Sequence, residues 1–560
     1  MSKVDNVILY NTETIKYYND VGAWADISLI DLFKDNVRKY EGEISLIDPI
    51  NKQQIAGFKP DRITYSQLEN RVDVLATNLI KVGIKKDDVV VVQLPNIIEL
   101  VIAYLAITSA GAIISPVPMQ WQRNELSHVM KQTDAKMFIG MDVFKSYHLM
   151  DVVRQLQSEI ACLKYIVSLD ELRRMTRGEA DIISLQALRP QANEVFTIQW
   201  TSGTEAQAKA CPLTHNNQIF QGRCYQHLGV QKRSKILCLP PLVNASGMSA
   251  FFIPWLLSAG SLILHHPFDL DIFVQQVTAE KINYFGMVPA MLNMLLKYPS
   301  SENLDLSSVN LIVTGSASPS GWSIKEFKQR WGMDICTIYG MNEGAVFASM
   351  IDLDGIPSEN RSGLYPWWGK KGTAWPSEIT NQSLSAIESK LVDDNDEEVI
   401  GNGDIGELKV KGPGIFSGYY KRPDLNNKVF DDDGFMKTGD IFKIIEDKYL
   451  IFFDRSKDII VRGGVNISAQ EVENAVLRHP DITDTAAVPM QDNKLGEKVC
   501  IYIVTRSGKS IRLDDVLLFL RSSEIAIYKY PEKVVIVDEI PRTPTGKINK
   551  SILKKRISKA

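Results

Sequence analysis

The chain has 560 residues, more than one hydrophobic core usually serves, and its 45% hydrophobic content is enough to bury at least two. Its 63 basic and 67 acidic residues give a net charge of −4, which offers no long-range attraction to nucleic acid or to an anionic membrane, so a small ligand is the expected partner. The six cysteines form no CxxC pair and the seven histidines include one adjacent pair, His265-His266, so no structural metal site is expected.

Met1-Ser2-Lys3-Val4-Asp5 lacks a charged-then-apolar targeting pattern, and a cytoplasmic location is the expectation. Apolar spacing predicts a helix over Tyr65 to Ala76, and short apolar runs predict strands at 88–94, 135–140, 235–239 and 310–315. The most apolar stretch, Ile97 to Met119, is broken by Glu99, Gly111, Pro116 and Pro118, so it reads as a buried helix leading into a buried strand, without integral membrane association. Phe251 to Leu264, broken by Pro254 and Gly260, reads the same way. Strand and helix in alternation predict an α/β fold with parallel sheets covered on both faces.

The strand-like run Val195 to Trp200 leads into Thr201-Ser202-Gly203-Thr204-Glu205-Ala206-Gln207-Ala208-Lys209. Three hydroxyls, a glycine and a trailing lysine suit a phosphate grip built from backbone N–H groups and one cation. It is not the common nucleoside-triphosphate loop, because Ala210 follows Lys209 where that loop needs Ser or Thr. By itself the segment is better explained by an ordinary Ser/Thr turn after a buried strand.

Beyond about residue 395 the chain turns rich in Gly, Asp and short alternating strands, which predicts an antiparallel subdomain. From Lys457 it reads as a small α+β unit with helices over 469–477 and 513–520 and a strand over 499–504. The basic end, Lys550 to Lys559, reads as a solvated helix face.

Five further segments follow the grip in order: Gly315-Ser316-Ala317-Ser318-Pro319, Tyr339-Gly340-Met341-Asn342-Glu343, Thr438-Gly439-Asp440, Asp454 to Ile467 with Gly463-Gly464, and Pro541-Arg542-Thr543-Pro544-Thr545-Gly546-Lys547. In this order the set resembles the adenylate-forming superfamily of acyl-CoA synthetases, adenylation domains and luciferases. The segment Lys457 to Ser468, Gly406-Glu407-Leu408, Gly412 and Gly418-Tyr419 are most similar to fatty- and medium-chain acyl-CoA ligases.

The resemblance implies ATP- and acyl-binding over residues 1–454 and a mobile lid over 455–560, pivoting near Lys457. It implies ATP, Mg²⁺ and coenzyme A as cofactors and co-substrates. Lys547 would bridge the α-phosphate and the entering carboxylate, offsetting charge in the transition state. Glu343 with the Thr204 hydroxyl would hold Mg²⁺, and Asp440 would accept hydrogen bonds from both ribose hydroxyls. Tyr339, with Thr337, Ile338 and Gly340, would pack against adenine, whose other face Gly315, Ser316 and Ala317 would line. Thr201, Ser202, Gly203, Thr204, Glu205, Lys209 and Asn342 would meet phosphates, and Arg455 the ribose and phosphate. Gly463 and Gly464 would let the pantetheine arm pass, although a two-glycine hairpin turn explains them equally.

The chain differs from the family pattern at Ala206, Ala208 and Ala210, where glycine, proline and glycine are usual, and at Glu205, Asn244, Asn342 and Asp454. Alanine costs about 1 kcal/mol wherever the replaced glycine needs a positive φ. Asp454 would put a negative charge near the phosphate path. Asn244, Gly247 and Met341 would line an acyl pocket of small and apolar groups, favouring an uncharged tail. The leading expectation is an acyl-CoA ligase of the AMP-forming type, a monomer or homodimer. Its alternatives are transfer to an acyl carrier protein or an amine, and a nucleotide-binding protein without the first half-reaction.

Overall fold

A computed structural model describes residues 9–201, 207–299, 301, 304–317, 319–344, 346–348, 363–370, 386–492, 494–506, 509–522, 525–542 and 548–557. The chain divides into two units. The first holds 1–363, 372–388 and 411–434, and the second holds 364–371, 389–410 and 435–560.

The first unit has the expected α/β character. Its larger sheet has eight strands in the order Val346–Ala348, Ile335–Gly340, Leu311–Gly315, Tyr284–Gly286, Lys235–Cys238, Ser261–Leu264, Ile44–Ile47 and Arg62–Thr64. The six inner strands are parallel, and both edges are antiparallel. A six-stranded sheet orders Lys209–Thr214, Val195–Thr201, Ile113–Pro116, Val89–Gln93, Met137–Gly140 and Tyr165–Ser168, with only the first strand antiparallel.

One continuous apolar core joins these sheets through the helices Tyr65–Val82 and Ile98–Ser109. Every residue of Ile98–Ser109 is buried, as a helix apolar on all sides demands. The stretch expected as buried helix and strand is therefore both, and among the described residues no helix is long and apolar enough to cross a membrane. The helix predicted over 65–76 runs on to Val82, where Gly83 ends it at φ 115°. Pro254 follows directly on a π-helical turn, Met248–Phe252, and the Ala250 carbonyl four residues before it accepts from the Tyr284 hydroxyl at 2.8 Å in place of the missing N–H.

The second unit contains a five-stranded sheet ordered Leu364–Pro366, Tyr449–Arg455, Met436–Ile445, Ile405–Lys411 and Glu388–Val392. It also holds a sheet built on the long hairpin Ile482–Asp492 and Gly496–Thr505, covered by the helix Ala469–Val476. The basic end differs from expectation. Lys555 and Arg556 are exposed as expected, but Lys550, which opens the helix Lys550–Ile557, is half-buried and pairs at 2.8 Å with the buried Glu473 instead of facing water. The sequence pattern hides this because a lysine on one helix reads as solvated until its acidic partner on another element is known.

Candidate active site

In the first unit, Val195–Thr201 pairs antiparallel with Lys209–Thr214, and the register sets Lys209 opposite Thr201. The two ends of the expected phosphate grip are thereby neighbours. Ser202, Gly203, Thr204, Glu205 and Ala206 lie outside the described residues. The Thr201 hydroxyl is buried without a hydrogen-bond partner among the described residues. The penalty anticipated where alanine replaces glycine does not arise at Ala210, which has no positive φ. Ala210 is fully buried and pairs with Trp200 in regular strand. The leg is also held from outside: His128 Nε2 lies 2.9 Å from the Ala208 carbonyl, and Tyr420 N donates to the Ala210 carbonyl at 3.0 Å.

A second arm comes from the larger sheet, where Gly315 pairs with Ile338 on adjacent parallel strands. A Cβ on Gly315 would stand 2.9 Å from the Ile338 carbonyl oxygen, so only glycine permits this approach. Ser316 follows with φ 72°, and the turn through Ala317 is exposed beside the buried Tyr339 and Thr337. Past the exposed Gly340 and half-buried Met341, Asn342 joins the arms. Its Nδ2 donates to the Trp200 carbonyl at 2.8 Å, and its Oδ1 accepts from Ala245 N at 2.9 Å. The amide expected to meet phosphate is thus engaged with backbone.

Asn244 is likewise turned inward, its Oδ1 accepting from Gly247 N at 3.2 Å and from the Ser246 hydroxyl at 2.6 Å as a helix cap. A Cβ on Gly247 would stand 2.0 Å from the Pro241 carbonyl oxygen.

Glu343 is half-buried against the segment 412–420. Phe416 N donates to its carbonyl at 2.9 Å, and the Tyr419 hydroxyl donates to Oε1 at 2.6 Å. Lys209 Nζ stands 4.6 Å from the centroid of the same Tyr419 ring. The buried Cys211 thiol is pushed well up, first by burial and then by the Glu343 charge, with Lys209 opposing. Tyr419 and His128 were not expected here. Gly418-Tyr419 belonged to the family likeness and was a usable signal, whereas a lone histidine on the helix Arg123–Gln132 offered none.

The second unit carries the other group. Asp440 is buried and faces Arg455 across paired strands, with Arg455 Nε 3.5 Å from Asp440 Oδ1. Thr438 and Gly439 fix the approach: Gly439 has φ 72° and donates to Glu407 Oε1 at 2.9 Å, while the Thr438 hydroxyl accepts from Asp440 N at 3.1 Å. Lys457 is exposed, and its carbonyl accepts from Lys554 Nζ at 2.7 Å. Gly463 and Gly464, at φ 59° and 81°, form the two-residue turn between Ile460–Arg462 and Val465–Ile467. Lys547 lies outside the described residues.

Two family profiles fit this layout. The AMP-binding enzyme profile matches residues 33–420, and the AMP-binding enzyme C-terminal domain profile matches 471–547. The chain belongs to the AMP-binding enzyme family. It is an adenylate-forming ligase. It is 31% identical to the medium-chain fatty-acid–CoA ligase of Escherichia coli, across 99% of this chain and 95% of that protein. The 2,3-dihydroxybenzoate-AMP ligase of Bacillus subtilis is 29% identical, across 98% and 96%. The fold is shared with ATP-bound MatB of Rhodopseudomonas palustris, at TM-score 0.79 and 24% identity over 95% of this chain and 99% of that one.

The donor set suits the Mg²⁺ that the family's reaction uses. Among the described residues no group of three or more His, Cys, Asp or Glu gathers. One carboxylate, Glu343, stands beside the phosphate-grip leg, which matches an ion held by one or two carboxylates and the substrate's own phosphates.

Proposed function

We propose that this ligase activates a hydrophobic carboxylic acid with ATP and passes the acyl group to the thiol of coenzyme A. The observation that carries this reading is that Lys209, paired with Thr201, and Glu343 meet through Tyr419, while Asn342 ties the end of the strand carrying Tyr339 to the Trp200 carbonyl. It is supported by likeness to the medium-chain fatty-acid–CoA ligase along nearly the whole chain.

In the first step a carboxylate oxygen of the acid bonds to the α-phosphorus of ATP. The bond from that phosphorus to the bridging oxygen breaks, and pyrophosphate leaves. Such an in-line displacement needs positioning and charge neutralisation more than covalent help. Lys209 supplies one cation at the grip, Lys547 would supply another at the reacting phosphorus, and Glu343 with Thr204 would supply the oxygen ligands for Mg²⁺. Mg²⁺, when bound, neutralises phosphate charge as it develops. In the second step the sulfur of coenzyme A bonds to the acyl carbon, the bond from that carbon to the phosphate oxygen of the mixed anhydride breaks, AMP leaves with its electron pair, and the thiol proton passes to solvent. Asp440 and Arg455 would hold the ribose through both steps, and Gly463-Gly464 would admit the pantetheine arm while residues from 455 onward move as a lid.

ATP–pyrophosphate exchange across a panel of aliphatic and aromatic acids tests the first step, and AMP release with coenzyme A tests the second. Exchange is expected with a hydrophobic acid and absent in Lys547→Ala; absence with every acid refutes the reading. A carrier-protein thiol as acceptor is a second reading, supported by likeness to a ligase named for its aryl adenylate. Mass spectrometry comparing coenzyme A with a phosphopantetheinylated carrier separates the two.

A further inference from the structure

The segment 412–420 is anchored far more firmly than a surface connection requires. Trp24 Nε1 donates to the Pro413 carbonyl at 3.0 Å, Asn217 Nδ2 donates to the same carbonyl at 2.8 Å, and the Tyr10 hydroxyl donates to the Ile415 carbonyl at 2.5 Å. Gly344 makes the closest approach: a Cβ there would stand 1.9 Å from the Gly414 carbonyl oxygen. Tyr419 itself is pinned by Asn426, whose Oδ1 accepts from Tyr419 N at 2.7 Å, and its ring packs edge-on against Phe416. All of this order converges on one side chain, which is 5% exposed.

That side chain touches both charges of the first unit's site. Its ring faces the Lys209 ammonium at 4.6 Å, and its hydroxyl donates to the Glu343 carboxylate at 2.6 Å. No ion pair joins Lys209 to Glu343 among the described residues, although Cys211 feels the charge of both. The ring and its hydroxyl thus stand between an ammonium and a carboxylate that attract one another. An aromatic face satisfies a cation without supplying a counter-charge, and a phenol satisfies a carboxylate while leaving it ionised.

We propose that Tyr419 is a positioning residue that holds Lys209 and Glu343 apart, keeping the cation for the polyphosphate and the carboxylate for the divalent metal. This rests on the function proposed above only for the identity of the ligands, since the geometry involves the protein alone. Tyr419→Phe keeps the ring under Lys209 and removes the hydrogen bond to Glu343. Tyr419→Leu removes both.

The test is equilibrium binding of Mn²⁺ to the full chain with α,β-methylene-ATP, followed by electron paramagnetic resonance, beside binding of the metal-free analogue. Tyr419→Phe is expected to weaken Mn²⁺ binding at least fivefold while leaving metal-free analogue binding within twofold. Tyr419→Leu is expected to weaken both. Each variant is compared at a temperature where circular dichroism matches the parent. Parent-like Mn²⁺ affinity in a folded Tyr419→Phe overturns the proposal. Absence of pyrophosphate exchange in the parent protein, with these binding shifts intact, counts against the proposed function instead.

Discussion

Asp454 closes the N-terminus of the helix Ala469–Val476. Its Oδ2 accepts from Gln470 N at 3.2 Å and from the Ser468 hydroxyl at 3.1 Å, while Oδ1 accepts from Arg455 N at 2.7 Å. The family pattern places glycine here, and a carboxylate in its stead reads from sequence as a charge near the phosphates. The side chain is instead buried, and its charge meets the positive end of a helix dipole and the donors there.

Asp454→Ala is therefore expected to destabilise the second unit by about 1–3 kcal/mol, since two backbone donors and a hydroxyl lose a charged acceptor. Asp454→Gly, the family-like change, should do the same and gain no activity. Thermal unfolding monitored by circular dichroism checks the first claim and pyrophosphate exchange the second.

The half-buried Lys550 pairs at 2.8 Å with the buried Glu473, which also accepts from Ala487 N at 2.7 Å. Burial acts against the Lys550 charge, but the carboxylates of Glu473, Asp454 and Asp458 outweigh it and raise its pKa. Lys550→Met leaves Glu473 buried and uncompensated, and a loss of about 3–5 kcal/mol is expected. Adding Glu473→Gln should recover most of it. Urea denaturation of the two variants measures both.

Acid should weaken the fold before the carboxylates titrate. Burial pushes the His215 imidazole, whose Nδ1 accepts from Leu29 N at 3.2 Å, down to about 3. His266 is pushed down to about 4 by burial, then by His265 and Lys145. The unfolded chain takes up these protons near pH 6.5 and the folded chain refuses them. Their contribution is thus complete above about pH 6.5 and falls until the pH passes the folded values. Asp48 runs the other way, because burial holds it up at about 6 and it adds stability as pH falls from there toward 3.8. Between pH 7 and 5 the three groups together should remove about 2 kcal/mol. His215→Asn, which keeps an acceptor for Leu29 N, should flatten that slope in unfolding midpoints taken across the range.

Restoring glycine at Ala210 should not help the reaction. Ala210 lies in regular strand, fully buried against the cluster around Trp200. Ala210→Gly removes a packed methyl and adds backbone freedom, a loss of about 1 kcal/mol. Exchange rates at or below the parent's are expected, and a faster variant would contradict this account.

The fold class was legible because its signals are local. A helix apolar on every side, such as Ile98–Ser109, and short apolar strands between helices leave few alternatives to sheets covered on both faces. The family was legible because several short segments recur in a set order. Residue roles were less so, because a side chain's partners come from distant parts of the chain. Asn342 and Asn244, expected to face ligand, are engaged with backbone, and Tyr419 entered only as part of a family likeness.

The sequence by itself determined the α/β architecture, the order of the site segments and the family, all of which follow from spacing along one chain. Only the tertiary structure decided where the charges go. Asp454 became a helix cap, Lys550 the partner of a buried Glu473 and Tyr419 the separator of Lys209 from Glu343, because each outcome depends on which distant group burial sets beside it.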